Sequence, residues 1–119
     1  MNWGAIAAIL MGLGVAFGAF GAHALRDRLD AYSISVYERA VFYHFLHALG
    51  MLAVSASNKL STSQLNRVCG LLLAGVLIFS GSLYALAISG NRMLGAVTPV
   101  GGVSFIAAWL LLAWYLYHS

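Results

Sequence analysis

Six Lys and Arg and three Asp and Glu are the only formally charged side chains in the sequence, and they divide it sharply. Between them lie four uncharged runs: Met1 to Leu25, Ala40 to Asn58, Val68 to Asn91 and Met93 to Ser119. Crossing about 30 Å of hydrocarbon takes about 20 helical residues, and each run is about that long or longer. Strands of a lipid-embedded barrel would show short segments of alternating polarity, and the runs show none. Hydrophobic residues make up 62% of the chain and charged ones 8%, against about 25% charged in a soluble domain. A chain of 119 residues has too little interior to hide that much apolar surface from water. An ordinary soluble domain, a disordered chain and a disulfide scaffold are thereby excluded. The predicted fold class is an all-α membrane protein, an antiparallel bundle of four transmembrane helices forming one integral domain over residues 1–119. The spans are expected near 3–25, 36–57, 65–89 and 99–117.

The formal charge of +3 comes from single basic residues scattered between apolar runs. They read as flanks of spans, and nucleic acid is set aside as a partner. Cys69 has no second cysteine to pair with. Ala22-His23-Ala24 mimics a signal-peptidase site, but Met1-Asn2-Trp3 lacks a positive start and the uncharged stretch exceeds a normal signal core, so a retained span is expected.

Local signals sharpen the boundaries. Ser35-Val36-Tyr37-Glu38 fits a capping box and predicts that the second helix begins near Val36. Ser61-Thr62-Ser63-Gln64 fits another, with Leu60 and Leu65 as its hydrophobic staple. Gly90-Asn91 is a helix stop. Thr98-Pro99 reads as an N-cap followed by proline at the first helical position, leaving Met93 to Val97 as an apolar, non-helical approach. Trp3, Trp114, Tyr115 and Tyr117 fit the aromatic belt of one membrane face, which both termini would share. Arg26, Arg28, Arg39 and Arg92 lie at the opposite face against Lys59 and Arg67 at this one, which places the termini in the periplasm by the positive-inside rule.

Two stretches repeat at almost the same offset. Gly14 to Leu25 (GVAFGAFGAHAL) overlays Gly75 to Leu86 (GVLIFSGSLYAL), and Phe45 to Ala53 (FLHALGMLA) overlays Phe105 to Ala113 (FIAAWLLLA). Two repeated helical hairpins would produce this pattern. Small residues at four-residue spacing mark close-packing faces: Gly4, Ala8, Gly12 and Ala16 form one ladder, Gly14, Gly18 and Ala22 another, and Gly81, Ala85 and Ser89 a third. Two ladders on the first helix predict that it packs centrally, with neighbours on two sides.

Ionisable groups within a membrane are functional candidates by default. His44 and His47 share one helical face with Ala40, Met51 and Val54. His23, at the end of the first helix, is expected within about two helical turns of His44 in depth. Tyr84 is expected at the same end, with Ser80, Ser82 and Thr98. This cluster has a structural reading, in which neutral histidines hydrogen-bond Ser80, Ser82, Tyr84 or a backbone carbonyl and lock helices together. It also has two functional readings: haem or metal ligation through His23 and His44, and a proton or ion path in a small homo-oligomeric channel or transporter. No hydrolase elbow, zinc-protease or phosphate-loop motif is present. Asp27, Asp30 and Glu38 sit among Arg26, Arg28 and Arg39 and read as loop ion pairs.

Four ordered motifs carry a family resemblance: Gly18-Ala19-Phe20-Gly21-Ala22-His23, Phe42-Tyr43-His44-Phe45-Leu46-His47-Ala48-Leu49, Phe79-Ser80-Gly81-Ser82-Leu83-Tyr84, and Thr98-Pro99-Val100-Gly101-Gly102 with Trp109 downstream. Over nearly its whole length the sequence resembles the domain-of-unknown-function family 423, small bacterial inner-membrane proteins similar to the animal transmembrane protein 256. The resemblance implies a four-span protein of the bacterial inner membrane and adds weight to His23, His47, Ser80, Gly81, Ser82, Tyr84, Thr98 and Pro99. It supplies no reaction, substrate or cofactor. The function expected is that of a non-catalytic accessory or assembly subunit with no cofactor, whose partners are the lipid bilayer and other membrane subunits or further copies of itself.

Overall fold

The computed structural model describes the whole chain, Met1–Ser119, and is helical throughout. Helix α1 runs Trp3–Leu25, α2 Ala31–Ala56, α3 Thr62–Ser89 and α4 Thr98–Tyr117. A 3₁₀ segment, Arg92–Ala96, leads into α4. Trp3–Leu25, Thr62–Ser89 and the combined stretch Arg92–Tyr117 are long and apolar enough to cross a membrane. The 23 residues of α1 rise about 34 Å at 1.5 Å each, enough for a hydrocarbon core of about 30 Å. Helix α2 does not join them. It keeps Glu38 and Arg39 within its second and third turns and buries His44 and His47 further along, and these polar residues dilute its apolar character.

Capping chemistry explains where the helices start and stop. Asp30, not Ser35, begins α2: its side chain accepts the Ser33 amide at 2.7 Å. Ser35 therefore lies inside the helix, and the start predicted near Val36 moves back to Ala31. The box at Ser61 forms as predicted, with Gln64 N–H on Ser61 Oγ and Ser61 N–H on Gln64 Oε1. Gly90 ends α3 at φ 74°, a left-handed position that glycine takes without strain. Thr98 opens α4 but caps nothing, because its hydroxyl bonds Ser82 instead. The approach from Met93, expected to be non-helical, is 3₁₀. Two helices contain a wide π turn, at Gly21–Leu25 in α1 and Val76–Ser80 in α3, which no sequence signal foretold.

The four helices pack in antiparallel neighbouring pairs within 49 × 26 × 20 Å. Two apolar clusters form the core. One gathers Trp3, Ala7 and Leu10 of α1 with Met51, Leu72 and Phe105 near the chain termini. The other gathers Leu25, Val36, Tyr37, Ala40, Leu83 and Leu86 at the opposite end. Trp3, expected in an aromatic belt, is 6% exposed and donates its indole N–H to Asn66 Oδ1 at 2.8 Å. Trp114 and Tyr117 stay exposed, and Tyr115 accepts a hydrogen bond from Arg67.

The small-residue ladders divide between contact and open surface. Gly14 and Gly18 face α2, where a Cβ on Gly14 would stand 2.7 Å from the Phe45 ring and one on Gly18 3.6 Å from Val41. Ala8, Gly12, Ala16, Ala22 and Ala85 are exposed, and a Cβ on Gly81 would meet nothing within 4 Å. Helix α1 is accordingly an edge helix, not a central one. Its ladder through Ala8, Gly12 and Ala16 faces outward, while α3 meets α1 through Trp3 and Asn66 at its start and through Phe17 and Tyr84 further along.

The two hairpins, α1–α2 and α3–α4, share one internal register. Phe45 lies against Gly14, and Phe105 against Gly75. Val41 meets Gly18, and Phe79 meets Gly101. The ring of Tyr37 covers Gly21, and Thr98 bonds Ser82. In α1–α2 the Leu10 carbonyl accepts from His44, and in α3–α4 the Leu71 carbonyl accepts from Ser104. These pairs fall on the positions that the sequence repeat equates, to within one residue. The two π turns do not.

Candidate functional site

A polar layer lies between the two apolar clusters, and the helical stripe of α2 builds most of it. Tyr37, Ala40, His44, His47, Met51 and Val54 recur at three- and four-residue spacing and are all buried. His44 is at the centre, 2% exposed. Its Nε2 lies 2.6 Å from the Leu10 carbonyl oxygen of α1. A carbonyl can only accept, so Nε2 carries the proton, and Nδ1 is left to accept from the Tyr84 hydroxyl of α3 at 2.9 Å. One neutral imidazole thus ties three helices together. Edge-to-face contacts with Phe17 and Tyr84 hold its ring, and Tyr37 adds a second tie by donating to the Phe17 carbonyl.

The serines act in the same way. Ser80 donates to the Ala40 carbonyl at 2.9 Å, joining α3 to α2. Ser104 donates to the Leu71 carbonyl at 2.7 Å, joining α4 to α3. The Ser82 and Thr98 hydroxyls share a 2.6 Å hydrogen bond near the start of α4. No buried side-chain nitrogen or oxygen sealed from its surroundings lacks a partner.

His47 differs. Its Nδ1 lies 2.9 Å from the Tyr43 carbonyl of its own helix and must donate to it. That makes Nε2 a free acceptor with no donor in the chain, although the residue is only 4% exposed. The ring stacks on Phe105 at 3.5 Å and 12°, with Tyr43 and Trp109 alongside. His47 joins α2 to α4 by packing, and its Nε2 keeps an unused lone pair.

The predicted cluster is therefore brought together in part. His44 and Tyr84 meet, and Ser80 sits beside them on the same seam. Ser82 and Thr98 form a separate pair nearer the helix ends. His23 is exposed on the π turn and does not approach His44. Since both nitrogens of His44 are engaged, the pairing of His23 with His44 as haem or metal ligands has no geometric support. Participants that were missed include Tyr37, Ser104 and the carbonyls of Leu10 and Phe17. Tyr37 was legible, being one turn back along the stripe that holds His44 and His47. The carbonyls carry no sequence signal, because any residue supplies one.

The charged end also departs from expectation. Arg26, Arg28, Arg39, Asp27 and Glu38 form no ion pair within 4.0 Å. Asp30 is held below its ordinary pKa of 3.8, first by the Ser33 amide hydrogen bond and to a smaller degree by the Arg92 charge. Arg92 itself lies over the Tyr32 ring, 4.1 Å from its centroid.

Comparison with known proteins identifies the family. A family model described as "Protein of unknown function (DUF423)" matches residues 17–102. A UPF0382 membrane protein of Staphylococcus saprophyticus is 46% identical over 100 residues, 84% of this chain and 83% of the relative. The UPF0382 membrane protein YwdK of Bacillus subtilis is 42% identical over 111 residues, 92% of this chain and 88% of the relative. A UPF0382 membrane protein of Staphylococcus epidermidis is 44% identical over 84% of this chain and 82% of the relative. No solved structure matches the chain. With a family model matched along most of its length and relatives of this similarity named as membrane proteins, the chain belongs to the DUF423 family of membrane proteins of unknown function.

Proposed function

We propose that the chain is a four-span antiparallel bundle of two repeated hairpins in the bacterial inner membrane, with both termini periplasmic, and that it works as a non-catalytic accessory or assembly subunit. The observation that carries this reading is that most of its intramembrane polar side chains are engaged with other helices, His47 Nε2 excepted. His44, Tyr84, Ser80, Ser82, Thr98 and Ser104 spend their hydrogen bonds on other helices or on one another. Such groups fasten helices and offer little to a substrate. Meanwhile α1 and α4 leave large apolar side chains open, among them Ile9, Val15, Val103, Ile106 and Leu110, which suit lipid and neighbouring subunits. In the four-span reading Arg39 marks the surface end of α2, and Ala40–Ala56 crosses beside the longer helices.

Isolation of the tagged protein from native membranes in mild detergent tests the role, with a defined membrane-protein partner expected in stoichiometric amount. A stable monomer or homo-oligomer without one removes it. Reporter fusions at both termini test the topology, and a cytoplasmic signal from either end refutes the orientation.

A second reading rests on His47. Its free Nε2 is an acceptor on α2, packed beside the membrane-length helices, and a homo-oligomer could align several of them along a proton or ion path. Proteoliposomes carrying the protein should then show pH-dependent flux that His47→Ala abolishes. Absence of flux, or flux unchanged by the substitution, ends this reading.

A further inference from the structure

The first hairpin contains a cavity at the charged end of the bundle. It has a volume of about 180 Å³ and lies between the end of α1 and the start of α2, with walls that include Gly18, Gly21, Ala22 and Ile34. The repeat shows what is particular to it: the equivalent positions of the second hairpin border a cavity too, but its α3 wall is built from Phe79, Leu83 and Leu86, where α1 offers Gly18, Gly21 and Ala22. Tyr37 leaves the cavity open because its ring lies on Gly21 and its hydroxyl is tied to the Phe17 carbonyl.

Two charges of opposite sign line the same cavity, Arg26 from the end of α1 and Glu38 from α2. Both are exposed, and they are not paired with each other or with any other residue within 4.0 Å. The remaining charges of this end, Asp27, Arg28, Asp30, Arg39 and Arg92, are not part of its lining. The helices that frame it also expose the apolar rings of Phe20 and Phe42. A cavity with one cationic and one anionic side chain, small apolar walls and apolar surroundings matches a zwitterionic amphiphile in charge and in polarity.

We propose that this cavity binds the headgroup of an aminophospholipid, with the phosphate on Arg26 and the primary ammonium on Glu38. Arginine presents several N–H donors to phosphate oxygens, and a carboxylate accepts from an ammonium in a charge-assisted hydrogen bond. The cavity admits the headgroup and the first carbons below it, and the acyl chains continue in the bilayer along the apolar faces of α1 and α2.

Native mass spectrometry of the purified protein, mixed with phosphatidylethanolamine and phosphatidylglycerol of identical acyl chains, tests the assignment. Phosphatidylethanolamine should be retained about fivefold over phosphatidylglycerol, the worth of one interfacial charge contact. Glu38→Gln should erase that preference, and Arg26→Gln should weaken retention of both lipids. Ala22→Leu fills the cavity from an exposed position, so it should lower phosphatidylethanolamine retention while the melting temperature stays unchanged. Equal retention of the two lipids by the wild-type protein overturns the proposal, as does a preference that survives all three substitutions. Displacement of the bound lipid by soluble phosphoethanolamine at comparable concentration also overturns it, since the site would then belong to a free metabolite.

Discussion

The α1–α2 and α3–α4 hairpins place side chains at the same register but solve the packing in opposite ways. In α3–α4 the bulk is on the first helix: Phe79 fills the seam, and α4 yields with Gly101 directly against the Phe79 backbone. In α1–α2 the first helix yields with Gly18, and the second contributes only Val41, at ordinary van der Waals distance. The closest helix approach at this level is consequently in the second hairpin, and the cavities beside the two seams differ in lining, with glycine and alanine on α1 and Phe79 and Leu83 on α3. The polar ties differ too. His44 reaches two other helices, whereas its counterpart Ser104 reaches one carbonyl. A common framework with unequal filling means that equivalent substitutions should have unequal effects.

The largest inequality is expected at the glycines. A methyl group at Gly101 would collide with the backbone of Phe79, which cannot rotate away as a side-chain tip can. Gly101→Ala should therefore cost about 3 kcal/mol, the upper part of the usual overpacking range. Gly18→Ala meets only Val41 at 3.6 Å and should change stability by less than about 0.5 kcal/mol. Thermal unfolding of the two variants in the same detergent or nanodisc decides the matter. Similar losses at both sites would show that the hairpins are equally tight and that the register comparison misleads.

A smaller difference is expected for the ties. His44→Phe keeps a planar ring while removing two interhelical hydrogen bonds, and at the membrane average of about 0.6 kcal/mol each it should cost about 1.2 kcal/mol. Ser104→Ala removes one bond and should cost about 0.6 kcal/mol. A loss at Ser104 exceeding that at His44 would move the principal fastening from the first hairpin to the second.

How much of this was legible in the sequence depends on whether local or tertiary forces decide each feature. The helical class, the Ser61–Gln64 box and the Gly90 stop were legible because each rests on neighbours in the chain. The pairing of Gly14 with Phe45 and Gly75 with Phe105 was implicit in the repeat, since repeated residues take repeated neighbours. The start of α2 was misplaced because two polar residues competed for the cap, and the Asp30 carboxylate prevailed over the Ser35 hydroxyl. Thr98 was misassigned for a tertiary reason: its hydroxyl found Ser82 from another helix. The outward face of Ala8, Gly12 and Ala16 was equally hidden, because spacing shows that a close approach is feasible but not that a partner is present. His23 is exposed and His44 buried, because the direction in which a side chain leaves its helix is set by the packing of the whole fold.

The two hairpins also differ where their second helices begin, and here the expected effect is smallest. Asp30 caps α2 with a carboxylate that accepts the Ser33 amide, whereas the residues leading into α4 provide no ionisable cap: Asn91 accepts the Met93 amide, and Thr98 is engaged with Ser82. The folded pKa of Asp30 is depressed below 3.8, so the carboxylate binds a proton less readily in the folded chain than in the unfolded one. Its contribution is complete above the ordinary carboxylate pKa and declines as pH falls through that value towards the lower folded one. Hydrogen exchange at the Ser33 amide should therefore accelerate on acidification after correction for intrinsic rates, while the Met93 amide shows no such change. Asp30→Asn keeps a capping oxygen but cannot titrate, and should leave Ser33 insensitive to pH. If Ser33 and Met93 respond alike, or if Asp30→Asn retains the wild-type response, the acid sensitivity of α2 lies elsewhere and this asymmetry between the hairpins disappears.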